Sequence, residues 1–166
     1  MSFDEIYKKH YHELRRFGRQ LNVSAEKCED MTQETFLRFY LEIQKDVVFQ
    51  NPRAWLYKVF LNIFKTDIQR TERQQNGSEI LLKIEEPNSD LHEEYAKNEK
   101  QRIVLEMLDQ LTKKDREILS LYHNGFSYAE IAEIMGINPN SVGKTLVRAI
   151  EKLKITLKTQ YHEMFE

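Results

Sequence analysis

Apolar residues recur every three or four positions along most of the chain, the spacing that gathers them on one side of an α-helix. Phe3, Ile6, Tyr7, Tyr11, Leu14 and Phe17 form one broad stripe and predict a first helix over about 2–21. Met31, Phe36, Phe39, Tyr40 and Ile43 predict a second over about 25–43, with Ser24 as its cap. Asn51-Pro52 pairs a cap with a proline preset for a first turn, and opens a third helix to about Arg73 through Trp55, Leu56, Val59, Phe60 and Ile63. Periodicity then fails. Asn76-Gly77 and Pro87-Asn88 interrupt a polar, acidic stretch in which Ile80, Leu81, Leu82 and Ile84 are the apolar residues able to dock elsewhere. It resumes with Ile103, Val104, Met107, Leu108 and Leu111. Thr112-Lys113-Lys114-Asp115 reads as a capping box for a further helix, with Ile118, Leu119 and Tyr122 apolar and Gly125 ending it. No alternating run of strand type occurs, so the expected fold is all-α.

Ser127 to Lys154 holds the most specific pattern. Ser127 and Glu130 are spaced as a capping box; Ile131, Ala132 and Met135 make an apolar face; Gly136 suits the left-handed residue that ends a helix. Asn138-Pro139 caps and presets a second helix, whose Val142, Leu146, Ala149 and Leu153 face inward. The result is a helix-turn-helix, a unit whose second helix enters the DNA major groove. Asn140, Ser141, Lys144, Thr145 and Arg148 fall on the outer side. From Gly136 to Gln160 there are five Lys or Arg against one Glu, a local excess suited to phosphate.

Charge complicates that picture. The 166 residues carry a net −2. Residues 1–75 hold 13 basic and 11 acidic side chains, residues 76–100 hold 3 and 7, and residues 101–166 hold 9 of each. Each phosphate neutralised contributes about 0.9 to the slope of log K against log salt, so a chain this balanced binds DNA weakly alone. Something else must supply affinity. The composition is that of a globular protein, with no apolar run long enough to span a bilayer and no secretory signal at the N-terminus. A lone Cys28, read as a partly buried small hydrophobe, fits a reducing compartment, and the expected location is cytoplasmic.

Two further words complete the pattern. Asp30 to Phe36 reads DMTQETF, similar to a "D-x-x-Q-E-x-F" motif, and Arg53-Ala54-Trp55-Leu56-Tyr57 followed by Asn62 is similar to "R-A-W-L-Y … N". With the stretch from Leu108 to Ile137, these make the chain resemble the extracytoplasmic-function group of bacterial sigma factors in the sigma-70 family, which keep conserved regions 2 and 4. The resemblance implies a region 2-like helical bundle over 1–75, a flexible acidic linker over 76–100 and a region 4-like four-helix domain over 101–166. It implies a transcription-initiation factor that binds core RNA polymerase and directs it to promoters. Region 2 would melt and read the minus-ten element, and region 4 would read the minus-thirty-five element. Asp30, Gln33 and Glu34 would dock on the largest polymerase subunit, and apolar residues of region 4 would grip the flap of the second-largest. Lys58, Asn62, Lys65, Asp67, Arg70 and Arg73 would face promoter DNA near a base-holding loop at 45–51; Trp55 reads as a core anchor. Where the family often has Arg immediately before that Asn, this chain has Leu61, which removes one expected contact. In region 4 the readers would be Asn140, Ser141, Lys144, Thr145 and Arg148. Many members are held inactive by an anti-sigma protein, a further partner the resemblance implies.

The alternative is a stand-alone helix-turn-helix repressor or response-regulator-like protein, which would bind an operator tightly by itself and would leave DMTQETF without a role. An enzyme is not expected. His10, His12, His92, His123 and His162 are scattered, no metal set or phosphate loop is present, and no cofactor is implied.

Overall fold

The computed structural model describes residues 2–77 and 98–162. Among them are seven helices and no strand: α1 Phe3–Gln20, α2 Ala25–Ile43, α3 Pro52–Gly77, α4 Glu99–Asp109, α5 Lys113–His123, α6 Tyr128–Met135 and α7 Pro139–Gln160. They belong to two compact units, one carrying α1–α3 and the other α4–α7. Residues 78–97, most of the expected linker with Ile80, Leu81, Leu82 and Ile84, lie outside the described residues. At the two ends of the 76–100 stretch, α3 continues through Asn76 and α4 begins at Glu99.

In the first unit, Ser24 caps α2 by accepting from Lys27 N, and Asn51 Oδ1 accepts from Ala54 N at the start of α3. These bonds satisfy backbone donors that a helix start leaves orphaned. Leu14, Phe17, Phe39, Leu56, Tyr57, Phe60 and Leu61 are completely buried. The inward face of α3 is therefore displaced from the expected one: Tyr57 and Leu61 are inside, whereas Trp55, Val59 and Ile63 are half-buried. Periodicity alone misses this because α3 is apolar on more than one side, so packing chooses which residues go in. Trp55 sits at the margin, with Phe39 at 5.5 Å and Phe49 at 5.2 Å between ring centroids. Gly18 marks where the helices approach most closely, since a Cβ there would lie 2.7 Å from Cys28 Sγ and 2.8 Å from Phe60 Cζ. Cys28 is buried, and that burial pushes its thiol up to about 12. Thr32 and Thr35, also buried, donate to the carbonyls of Cys28 and Met31 one turn back.

In the second unit, Ile103, Leu105 and Met107 of α4, Ile118 and Leu121 of α5, Phe126, Ile131, Ala132 and Ile134 around α6, and Val142, Leu146 and Ala149 of α7 form the core. Val104 and Tyr122, expected inside, are about half exposed at 51% and 47%. Leu111 falls beyond the end of α4. Two helices end in the same way. Gly125 and Gly136 adopt φ of +85° and +65°, and the following residues, Phe126 and Ile137, donate back to Leu121 O and Ala132 O. This closure satisfies the last carbonyls and turns the chain sharply, which a Cβ would oppose. Ser127 and Glu130 form the reciprocal capping box, with Ser127 N on Glu130 Oε2 at 2.8 Å and Glu130 N on Ser127 Oγ at 3.2 Å. At α5 the expectation is half met. Thr112 caps Asp115 N, but the Asp115 carboxylate serves a different purpose, described below. No helix among the described residues is long and apolar enough to cross a membrane.

Candidate nucleic-acid and partner interfaces

Helix α2 presents one face to solvent over its whole length. Asp30 and Gln33 are exposed and Glu34 is half-buried. At helical spacing they continue into Leu37 and Leu41, exposed by 53% and 49%. Phe36, on the other side, is buried. The polar half of this face is braced from α1. Glu29 accepts from the Tyr11 hydroxyl, from Gln33 Nε2 at 3.0 Å, and lies 3.0 Å from Arg15 Nε. The bonds from Tyr11 and Gln33 hold the Glu29 carboxyl below its ordinary range, while burial and Glu29 push Tyr11 up to about 12. Glu34 pairs with Arg38 one turn on, at 2.8 Å. The surface thus combines fixed carboxylates with two bare leucines, a chemistry suited to a basic, partly apolar partner. Leu37 and Leu41 are contributions that sequence reading passed over, because their spacing matches both a core stripe and an interface.

The loop after α2 contains Asp46 at φ +59°, Val47, and Val48, which is 90% exposed. Phe49 turns back onto Phe39 and Trp55. On α3, Lys58, Asn62 and Arg73 are exposed and Lys65 is half-buried; at about 100° per residue these four share one side. Asp67 does not join them, and Arg70, 74% exposed, lies at their margin, about 60° round from Arg73. Asp67 lies roughly 140° round from Asn62 by the same geometry, and its carboxylate is 3.1 Å from Lys27 Nζ of α2 and 4.0 Å from Arg70. Leu61, where the family often has Arg, is fully buried, so the missing cation corresponds to a core position in this chain.

In the second unit, α6 and α7 make the helix-turn-helix. Asn140 and Lys144 are exposed and Ser141 is half-buried. Thr145 is a correction to the outer-face reading: it is buried at 6%, because it follows Val142 by three residues and turns inward with it. Arg148 projects outward along its stem, yet its Nη2 is 3.1 Å from Asp115 Oδ1, and Lys152 Nζ is 3.1 Å from Asp115 Oδ2. Burial pushes the Asp115 carboxyl up, but Lys152, Arg148 and Thr112 outweigh it and leave the group below its usual range. Two residues not singled out by sequence are prominent. Val147 is 55% exposed in the middle of α7, and Tyr128 is 45% exposed at the first turn of α6. The Tyr128 ring lies beside Gly143, where a Cβ would meet it at 3.4 Å. Elsewhere, Met107, Leu111, Leu153, Ile155 and Thr156 line a groove between α4 and α7.

Comparison with known proteins matches both units. The family model described as Sigma-70 region 2 matches residues 6–74, and that described as Sigma-70, region 4 matches 101–153. The ECF RNA polymerase sigma factor EcfG of Rhodopseudomonas palustris is 31% identical over 156 residues, covering 92% of this chain and 83% of the relative. SigM of Bacillus subtilis, also an ECF RNA polymerase sigma factor, is 26% identical, covering 93% and 94%. Among solved structures, the sigma factor RpoE in complex with the anti-sigma factor NepR from Bartonella quintana superposes with a TM-score of 0.75 at 22% identity, covering 95% of this chain and 98% of that one. CnrH in complex with the cytosolic domain of CnrY gives a TM-score of 0.65 at 22% identity, covering 95% and 88%. These two likenesses concern the fold.

Proposed function

This chain belongs to the extracytoplasmic-function sigma factors of the sigma-70 family and is a promoter-directing factor of RNA polymerase; we propose that its two units divide that task between melting and reading. The observation that carries the reading is the pairing of an exposed acidic and apolar face on α2 with a capped helix-turn-helix in the other unit.

The α2 face, with Asp30, Gln33, Glu34 and Leu37, docks on the largest polymerase subunit. Glu34, paired with Arg38 at 2.8 Å, and Gln33, bonded to Glu29 at 3.0 Å, lose little freedom on docking, which favours binding. The 45–51 loop and the Lys58–Asn62–Lys65–Arg73 side of α3 face the minus-ten element. Val48 and the Phe49–Trp55 pair offer an apolar platform against which an unstacked base can rest. Asp67, paired with Lys27, holds α3 against α2 at the edge of that surface, and Arg70 adds an exposed cation beside it. The minus-thirty-five element is read by Asn140, Ser141 and Lys144, with Thr145 supporting the helix from behind. The groove between α4 and α7 receives an apolar element of the second-largest subunit. An anti-sigma protein is a further partner, suggested by the complex in which RpoE of Bartonella quintana is found.

Weak DNA affinity in each unit then has a purpose. Two modest contacts gain avidity when a third body holds them at the right span, and core polymerase is that body. The test is run-off transcription with purified core enzyme on genomic fragments. Discrete start sites that require this chain are expected; initiation no better than core alone would refute the reading. A stand-alone repressor would instead give a tight footprint without polymerase, and it leaves the region 2 match over 6–74 unexplained.

A further inference from the structure

The helix-turn-helix carries a cluster that its expected role does not use. Asp115 stands in the first turn of α5, with its side chain 1% exposed, and it grips two cations of α7 at once: Arg148 Nη2 and Lys152 Nζ, each at 3.1 Å. Arg148 and Lys152 are one turn apart, and their side chains remain 59% and 46% exposed. Each places one nitrogen of its charged head against the buried carboxylate. A carboxylate near the start of a helix is stabilised by that helix's dipole, and a buried one strongly favours keeping its cations.

The buried apolar residues of α7, Val142, Leu146 and Ala149, lie in its first half. Beyond them the Asp115 cluster is a polar fastening of α7 to α5. What remains directed outward along the reading half is Asn140, Lys144 and Val147, spaced four and three residues apart on a single stripe.

We propose that Asp115 is a positioning residue for promoter reading: it holds the charged heads of Arg148 and Lys152 away from DNA, fixes the pitch of α7 on α5, and leaves direct contact to Ser141 and the Asn140–Lys144–Val147 stripe. This rests on α6–α7 being the DNA-reading element. It explains how a recognition helix rich in cations makes few phosphate contacts, which keeps binding dependent on the polymerase. Val147, 55% exposed, is then placed for apolar contact, of the kind a thymine methyl group offers in the major groove.

The experiment measures the salt dependence of closed-complex formation by the holoenzyme on a promoter fragment, for the native chain, Arg148→Gln, Asp115→Asn and the double variant. Each cation on phosphate adds about 0.9 to the slope of log K against log salt. Arg148→Gln, altering a largely exposed side chain, is expected to leave the native slope unchanged. Asp115→Asn releases one or both cations and steepens the slope by about 0.9 to 1.8, so that roughly three- to twelve-fold more affinity is lost between 50 and 200 mM salt. Adding Arg148→Gln to Asp115→Asn should remove about 0.9 of that gain. A purely structural role would lower the melting temperature without this pattern. The proposal is overturned if Arg148→Gln alone flattens the slope by about 0.9, or if a cooperatively melting Asp115→Asn leaves it unchanged. Should Asp115→Asn not fold, the Arg148→Gln arm decides. Failure of the native holoenzyme to recognise promoters would sink the functional reading itself, a distinct result.

Discussion

Single residues show how neighbours change the meaning of a sequence position. Leu61 occupies a place where relatives often carry Arg, and by spacing alone it looks like an exchange of a DNA contact for an apolar residue. Its complete burial shows that the exchange is a packing decision. Leu61→Arg should therefore cost several kcal/mol of stability, on the order of 3 or more, as expected for an unpaired buried charge. Thermal or urea unfolding measures this, and an Arg tolerated with gained DNA affinity would contradict it. Asp115 gives a pH signature. Its carboxyl is held below the ordinary range when folded, so its contribution is complete above the unfolded pKa and is lost as pH falls through the folded one. The stability difference between the native chain and Asp115→Asn should shrink as pH drops below about 4, the unperturbed range of an aspartate. A difference that grows with acid would show that the sign is wrong.

At the scale of helices, the ends are the most legible parts. Ser24, Asn51, Thr112, Ser127 and Asn138 all cap as their chemistry suggests, since a short side-chain oxygen before an apolar repeat has one productive use. Gly136 ends α6 with φ +65°, and nothing would collide with a Cβ there. Gly136→Ala should therefore destabilise by roughly 1 kcal/mol through backbone strain alone. Ser127→Ala should cost about 1 kcal/mol by losing the capping box. Denaturant unfolding of each variant checks both, with an unchanged m-value marking an effect on stability alone. Faces are less legible than ends. The inward side of α3 and of α4 shifted from the expected one wherever apolar residues lay on two sides, as with Tyr57 against Trp55, or Leu105 against Val104. The period was right, but its phase was set by the neighbouring helices.

For the whole molecule, charge is the governing quantity. With 25 basic and 27 acidic side chains, the chain has little long-range attraction for DNA. Alone it should bind a promoter fragment weakly and with a shallow salt slope, whereas the complex with core polymerase should bind the same fragment tightly. Equilibrium titrations with and without core at matched salt compare the two. Near-equal affinity would remove the reason for two weak readers to be joined. The same logic applies to the α2 face: Leu37→Asp should weaken assembly with core polymerase by around tenfold or more, as loss of an apolar interface contact does, while leaving unfolding nearly unaltered because Leu37 is 53% exposed. Co-elution with core enzyme reads that outcome directly.

The sequence by itself determined the helical class, the element ends and the family, because capping chemistry, glycine stops and motif words are local and act within a few residues. It also named most of the polar groups that reach solvent. Only the tertiary structure decided which cations find an anion across the fold: Lys27 pairs with Asp67 across two helices, and Arg148 with Lys152 meets Asp115, 33 and 37 positions away in the chain. It also turned Thr145 inward and left Val147 bare. A charge is available to DNA only if nothing nearer holds it, and that depends on distances in space that residue order does not encode.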